Sequence, residues 1–217
     1  MKYYPVFLAL EGKNALVVGG GKVARRKVET LIEYGALVQI ISMELTDGLK
    51  KLVEDGKIIH LGTQFEDHLM DGIFLVIAAT DDHEFNHKIS ESARRKGLLI
   101  NAVDQPADCD FIVPSIVKRG DLQIAISTSG KSPALAKKIR KELETQFGDE
   151  YESFLYLMGR LRKEILKKEY PQDENMRIFQ EIVNSGILTA LTKKNMDDVE
   201  LILRRILPQD LSSGHLL

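Results

Sequence analysis

The first half of the chain alternates short apolar runs with amphipathic stretches. "NALVVGG" and "GIFLVIAAT" are continuous apolar runs of strand length, the pattern of strands covered on both faces. "ALVQIIS", "KIIHLG" and "LLINAV" supply three more runs. Between them, "KVARRKVETLIEYG" places Val23, Val28, Leu31 and Ile32 at helical spacing and stops at Gly35. Residues 44–55 form a short amphipathic stretch, and residues 82–96 read as a helix that stops at Gly97. Strands alternating with helices predict parallel β-α-β units. The expected fold class is α/β, a Rossmann-like doubly wound parallel sheet with ligands at the carboxyl ends of its strands.

The rhythm changes after residue 104. "FIVPSIVKRGDLQIAISTSG" predicts two strands joined at Arg119-Gly120-Asp121. From Ser132 the pattern is helical, with Ser132 as cap and Pro133 at the first helical position. Further helices are expected over 149–168, 172–183 and 196–206, followed by a loose tail, "PQDLSSGHLL". This divides the chain into a nucleotide-fold domain (1–112), a short β connector (113–147) and a small helical domain (148–217).

Composition narrows the function classes. A net charge of -2 over 217 residues gives no global field for nucleic acid or an acidic membrane, so an anionic ligand needs a local basic cluster. Arg25-Arg26-Lys27 and Lys137-Lys138 are such clusters, with solvated helix faces as the plain reading. Cys109 is the only cysteine, which excludes an intrachain disulfide and points to a reducing cytoplasm. The apolar run in "MKYYPVFLAL" is short, has no small-residue cleavage site and passes directly into the first strand. No segment is long enough to span a bilayer.

"VVGGGKVA" places Gly19-x-Gly21-x-x-Ala24 between a strand and a helix. Gly19 permits a tight turn, Gly21 admits a pyrophosphate to the backbone, and Ala24 lets the helix pack closely. The helix start then offers N–H groups and a positive dipole end to the phosphates. An acid about 20 residues on would hold the ribose. Here the second strand ends Ile41-Ser42-Met43-Glu44. Both NAD and NADP stay open, with NAD favoured because no arginine stands at that strand end.

Asp104 follows the fifth strand, on the rim where a dinucleotide ends. It reads equally as a base that takes a proton while a hydride leaves, or as a turn residue like Asp108 and Asp110. "AISTSGKS" is a near-miss to a phosphate-binding loop, with Ala125 in place of the first glycine. Thr128, Ser129, Lys131 and Ser132 could still receive an anion at a helix start. His83-Glu84-Phe85-Asn86-His87 spells H-E-x-x-H, a zinc-hydrolase signature. It begins in the turn after the fourth strand and lacks an evident third ligand, so no metal site is assigned. His83 and His87 read instead as a solvated pair.

Three passages together carry a resemblance: "PVFLALEGKNALVVGGGKVARRKVETLIEYGA", "VIAATDDHEFN" and "NAVDQPADCDFIVPSIVKRGDLQIAISTSGKSPALAKKIRKELE". In this order they resemble the precorrin-2 dehydrogenase/sirohydrochlorin ferrochelatase family, the N-terminal unit of sirohaem synthase. The resemblance implies a Rossmann domain, a β dimerisation segment (113–147) and a helical domain, in a homodimer. It implies NAD-dependent oxidation of precorrin-2 to sirohydrochlorin, with Fe²⁺ insertion in some members left open here. It assigns the catalytic role to Asp104 and cofactor contacts to Gly19, Gly21, Lys22, Val23, Ser42, Met43, Glu44, Thr80 and Asp81. Thr128 matches its hydroxyl-bearing strand end, and Lys131 and Arg119 are placed by type and position to meet substrate carboxylates. Ser129 stands where many members have glycine. The methyltransferase domain of some members has no counterpart in the sequence, so methylation is expected of another protein. The rival readings are a zinc-dependent hydrolase on His83, Glu84 and His87, and a non-catalytic NAD-binding sensor.

Overall fold

Five apolar runs become five parallel strands: β1 (Asn14–Val18), β2 (Leu37–Ile41), β3 (Ile58–Gly62), β4 (Leu75–Ala78) and β5 (Leu99–Ala102). The computed structural model describes residues 3–211. The strands lie in the order β3-β2-β1-β4-β5. The chain winds outward from β1 in one direction and then returns to its other side. This leaves a topological switch point between β1 and β4.

Successive residues of a strand point to opposite faces. Ala15, Val17, Val38, Ile40, Leu75 and Ile77 therefore pack on one side of the sheet. Leu16, Val18, Ile41, Val76, Ala78, Ile100 and Ala102 pack on the other. Both faces are covered, which is why these strands read as apolar runs and not as alternations.

Helix α1 (Lys22–Glu33) buries Ala24, Val28 and Leu31, one helical stripe, against the first layer. Val23 lies off that stripe and is partly exposed, a correction to the sequence reading of the helix's apolar face. Helix α2 (Asp47–Glu54) packs on the same layer through Leu49. Helix α3 (His83–Arg95) packs on the second layer through Ile89 and Ala93. Between β3 and β4 the connection contains only a single 3-10 turn, Asp67–Met70, which seats Met70 in the core. Asp71 and Gly72 end it before a full helix forms.

The chain divides between Val113 and Pro114 into two units. The second opens with an antiparallel hairpin, β6 (Ser115–Arg119) and β7 (Leu122–Ile126), paired from Ser115↔Ile126 to Arg119↔Leu122. Helix α4 (Pro133–Gln146) starts where Ser132 Oγ accepts the Leu135 N–H. Helices α5 (Glu150–Lys167), α6 (Gln172–Val183), α7 (Ile187–Thr192) and α8 (Met196–Ile206) share one core. Phe154, Leu157, Leu161 and Ile165 form the inward stripe of α5. The six-residue α7 is an addition to the helices expected from sequence; it is too short to show a full helical period. The tail expected over 208–217 lies, from residue 212 on, outside the described residues.

Leu161 is fully buried at the centre of the helical core. Leu161→Ala should lower unfolding stability by about 2–5 kcal/mol, read by urea denaturation of the far-ultraviolet signal. A loss well under 1 kcal/mol would show that this core is not packed as described.

Candidate functional site

The carboxyl ends of β1, β2 and β4 open into one cleft of about 730 Å³. Its walls are Val18 to Gly21 after β1, Ile41 to Thr46 after β2, and Ala79 to Asp82 after β4, with Thr63, Phe65 and Phe85 completing it. Seven residues selected from sequence meet here: Gly19, Gly21, Ser42, Met43, Glu44, Thr80 and Asp81. Lys22 and Val23 are not among the lining residues. They form the first turn of α1, directly after Gly21.

The three walls are held together by backbone. Gly19 N–H donates to Ile41 O at 2.8 Å, and Thr46 N–H donates to Gly20 O at 3.0 Å. Gly19 has φ +120°, a region open to glycine, and a Cβ there would overlap the Ala79 carbonyl. A Cβ at Gly20 would overlap the Glu44 carbonyl and the Ser42 hydroxyl. A Cβ at Gly21 would meet nothing within 4 Å. The first two glycines thus let strand ends touch, and the third leaves open space in the cleft. The G-x-G-x-x-A spacing does not single out Gly20, whose need for a missing side chain comes from the Ser42–Glu44 loop packed against it.

Helix α1 begins at this open side. No side chain caps its first N–H groups and no acid lies in its first turn. Uncapped donors and a positive dipole end suit a phosphate. A dinucleotide therefore fits the residues present: a glycine turn against its phosphates and the Ser42–Glu44 loop for its ribose. The Ser42 hydroxyl donates to Glu44 O at 2.6 Å, which fixes that loop but leaves the hydroxyl's lone pairs available. His60 Nε2 lies 3.1 Å from Ser42 O and steadies it from β3.

Beyond β4, Thr80 and Asp81 are set by a buried amide. Asn86 is 1% exposed. Its Oδ1 accepts the Thr80 hydroxyl at 2.7 Å and the Thr80 N–H at 3.2 Å, while its Nδ2 donates to Thr80 O at 2.9 Å. Asp82 Oδ1 accepts the Phe85 N–H at 2.9 Å and starts α3.

Asp104 lies on the same rim, one strand over. Ala78 pairs with Ala102, so Thr80 and Asp104 each stand two residues past the paired positions. Val103 N–H donates to Ala78 O at 2.9 Å. Asp104 is exposed and has φ 60°, the left-handed region that costs a non-glycine residue stability. Among the described residues its carboxylate makes no hydrogen bond. Lys27 of α1 interacts with it electrostatically. Burial, with the Arg26 charge, holds the Lys27 amine below the usual lysine range, and Cys109 and Asp104 oppose that shift. Lys27 is thus half-buried and is the exception to the solvated reading of this basic cluster; Arg25 and Arg26 are exposed.

Asp108 and Asp110 do more than turn the chain. Asp108 Oδ1 lies 2.8 Å from His87 Nδ1, and Asp110 Oδ1 accepts from Arg94 Nε at 3.1 Å. His87 is exposed like His83, as expected of a solvated pair, but one ring nitrogen is engaged by Asp108. His83, at the first position of α3, is exposed. Among the described residues no group of three histidine, cysteine or acidic side chains is placed to hold a metal ion. Cys109 is buried, and burial pushes its thiol pKa up.

The remaining selected residues belong to the second unit. Thr128 Oγ1 accepts the Ser132 N–H at 3.1 Å, and Thr128 O accepts the Lys131 N–H at 3.0 Å. The Lys131 side chain is exposed. Ser129 has φ 50°, which explains why glycine suits that position. Arg119 is directed inward: it donates to Lys118 O and Glu144 O and lies 3.4 Å from Asp149. Its two terminal nitrogens are taken up by carbonyls of the same unit, while Nε is buried without a hydrogen bond.

A parallel sheet wound 3-2-1-4-5 with a glycine-turn cleft at its switch point defines a dinucleotide-binding Rossmann protein. A family model described as NAD(P)-binding matches residues 6–115, and the chain belongs to that family. A second model, for the central part of sirohaem biosynthesis proteins, matches residues 119–146. The chain is similar to the siroheme synthase of Photorhabdus laumondii, 33% identical over 216 residues, covering 100% of this chain and 46% of that one. The siroheme synthase of Methylobacillus flagellatus is 40% identical over 188 residues, 87% of this chain and 40% of that one. The chain thus spans less than half the length of the curated relatives it matches. The solved structure of SirC, a precorrin-2 dehydrogenase, has a TM-score of 0.75 at 24% identity, covering 93% of this chain and 100% of that one. It shows a shared fold.

Gly20→Ala should weaken NAD binding about 10- to 100-fold, the equivalent of the roughly 1–3 kcal/mol that overpacking costs. Calorimetric titration checks this. Unchanged affinity would mean that the cleft tolerates a shifted Ser42–Glu44 loop.

Proposed function

We propose that the chain catalyses the NAD-dependent dehydrogenation of precorrin-2 to sirohydrochlorin, with Asp104 as the base. The observation that carries this is an exposed carboxylate, free of hydrogen bonds among the described residues, on the rim beside a dinucleotide cleft. The names of the relatives and of the structural neighbour, siroheme synthase and precorrin-2 dehydrogenase, supply the substrate.

NAD, when bound, supplies the acceptor for the hydride removed from the tetrapyrrole. Gly19 to Gly21 and the start of α1 hold its phosphates, and Ser42, Met43 and Glu44 hold its ribose side. The Glu44 carboxylate disfavours a 2′-phosphate, which favours NAD over NADP. Thr80 and Asp81 limit the cleft on the β4 side. Asp104 takes the proton released as the hydride leaves, and its negative charge also stabilises the cation formed in that step. Lys131, exposed at the start of α4, and the Thr128 loop are assigned to carboxylates of the substrate.

Several finer assignments belong to the same proposal. The hairpin β6–β7 is a two-stranded sheet, a form marginal by itself, and it suits pairing in a homodimer. Among the described residues no helix is long and apolar enough to cross a membrane, and the cytoplasm is the proposed compartment. The relatives' name favours iron insertion as a second activity. There Asp104 would take the pyrrole protons as Fe²⁺, the substrate, enters the macrocycle.

Anaerobic mixing of the protein with precorrin-2 and NAD tests the main reading. NADH and sirohydrochlorin should appear in equal amounts, with NADP turned over more slowly. Precorrin-2 that stays unchanged with fresh protein would end it, and would favour an NAD-binding sensor if NAD still binds. Fe²⁺ added with sirohydrochlorin tests chelation; a rate no faster than the protein-free control removes that activity.

A further inference from the structure

The letters H-E-x-x-H leave a histidine that the proposed reaction does not use. His83, His87, Ser90 and Arg94 recur along α3 at spacings of four, three and four residues, so they form one stripe of the helix. Each member of that stripe bonds to the loop that follows Asp104. The backbone carbonyl of His83 accepts from Gln105 Nε2 at 3.0 Å. His87 Nδ1 meets Asp108 Oδ1 at 2.8 Å, and the Ser90 hydroxyl donates to Asp108 O at 2.9 Å. Arg94 donates to Ala107 O at 3.0 Å and to Asp110 at 3.1 Å. Beside a carboxylate, His87 must carry its proton on Nδ1. Asp108 is 7% exposed, and its second oxygen accepts from Gln105 Nε2 at 3.2 Å.

We infer that this stripe of α3 is a clamp, and that His87 and Asp108 are positioning residues for Asp104. The inference rests on the catalytic role proposed for Asp104. A residue held in the left-handed region persists only where its surroundings over-determine it. Asp104 makes no side-chain hydrogen bond to do so; the Gln105 N–H closes a turn around it on Ala102 O at 3.3 Å, and that turn is fixed by β5 before it and by the clamped residues 105–110 after it. The His87–Asp108 pair sits at the middle of the clamp, with the Gln105 amide bridging Asp108 to the start of α3. Asn86, on the neighbouring stripe, fixes Thr80 on the opposite side of the rim. One helix thus sets both the β4 and the β5 edges of the site.

The test uses the whole chain with His87→Ala and His87→Asn. The asparagine amide can reach the position of Nδ1 and donate to Asp108. Hydrogen exchange is read at the amides of Gln105, Asp108 and Asp110, with β1 as the internal control. The clamp predicts faster exchange at these three amides in His87→Ala, unchanged exchange in β1, and recovery in His87→Asn. Turnover of precorrin-2 should fall about 10- to 100-fold in His87→Ala with NAD affinity unchanged, and recover in His87→Asn. Unchanged exchange at the three amides, or full turnover despite faster exchange, overturns the inference. If the unsubstituted protein fails to oxidise precorrin-2, the proposed function falls, and the exchange measurement still decides whether the clamp exists.

Discussion

The site depends on backbone touching backbone where β1, β2 and β4 end. Gly19 lies against Ala79, and Gly20 lies against Glu44. No side chain fits in either contact. With these approaches closed, the ends of three strands become walls of one cleft, and the next glycine leads from it into an uncapped helix start. The doubly buried sheet beneath supplies the rigidity. Its central strands send apolar side chains into both covering layers, which anchors the strand ends that form the cleft.

The rim then separates two tasks. The β1–β2–β4 side offers glycines, uncapped amides and a short loop, a set suited to holding a dinucleotide, with Glu44, Asp81 and Asp82 in its lining. The β5 side offers Asp104, exposed and without a hydrogen bond among the described residues. Helix α3 lies between these tasks. Its buried face includes Asn86 and Ser90 as well as Ile89 and Ala93. Polar residues on the packed side of a helix cost stability unless they are satisfied, and here they are satisfied by the loops after β4 and β5.

Much of this was legible in the sequence. The strands were legible because burial on both faces makes their central positions almost continuously apolar, with single polar residues such as Gln39, His60 and Asn101 too few to impose a helical period. The glycine turn and the Ser42–Glu44 strand end were legible because their chemistry is local. What the sequence hid is long-range. Gly20 has no special backbone angle, and its necessity comes from a carbonyl 24 residues later. His87 and Asp108 are 21 residues apart and meet only once α3 packs beside β5. Arg119 looked available as a surface cation near a turn, yet its donors turn to Glu144 and Asp149 of the same unit. Lys27 looked solvated within a basic run, and only tertiary packing half-buries it.

In the proposed reaction, holding the dinucleotide and moving the proton fall to different strand ends. Asp104→Asn tests it most directly, because asparagine keeps the size and tolerates the left-handed backbone while losing the charge. NAD affinity and anaerobic precorrin-2 turnover are measured on the same preparation. The account predicts unchanged NAD affinity with turnover reduced at least about 100-fold. Turnover close to that of the unsubstituted protein, or loss of NAD binding together with turnover, would contradict it.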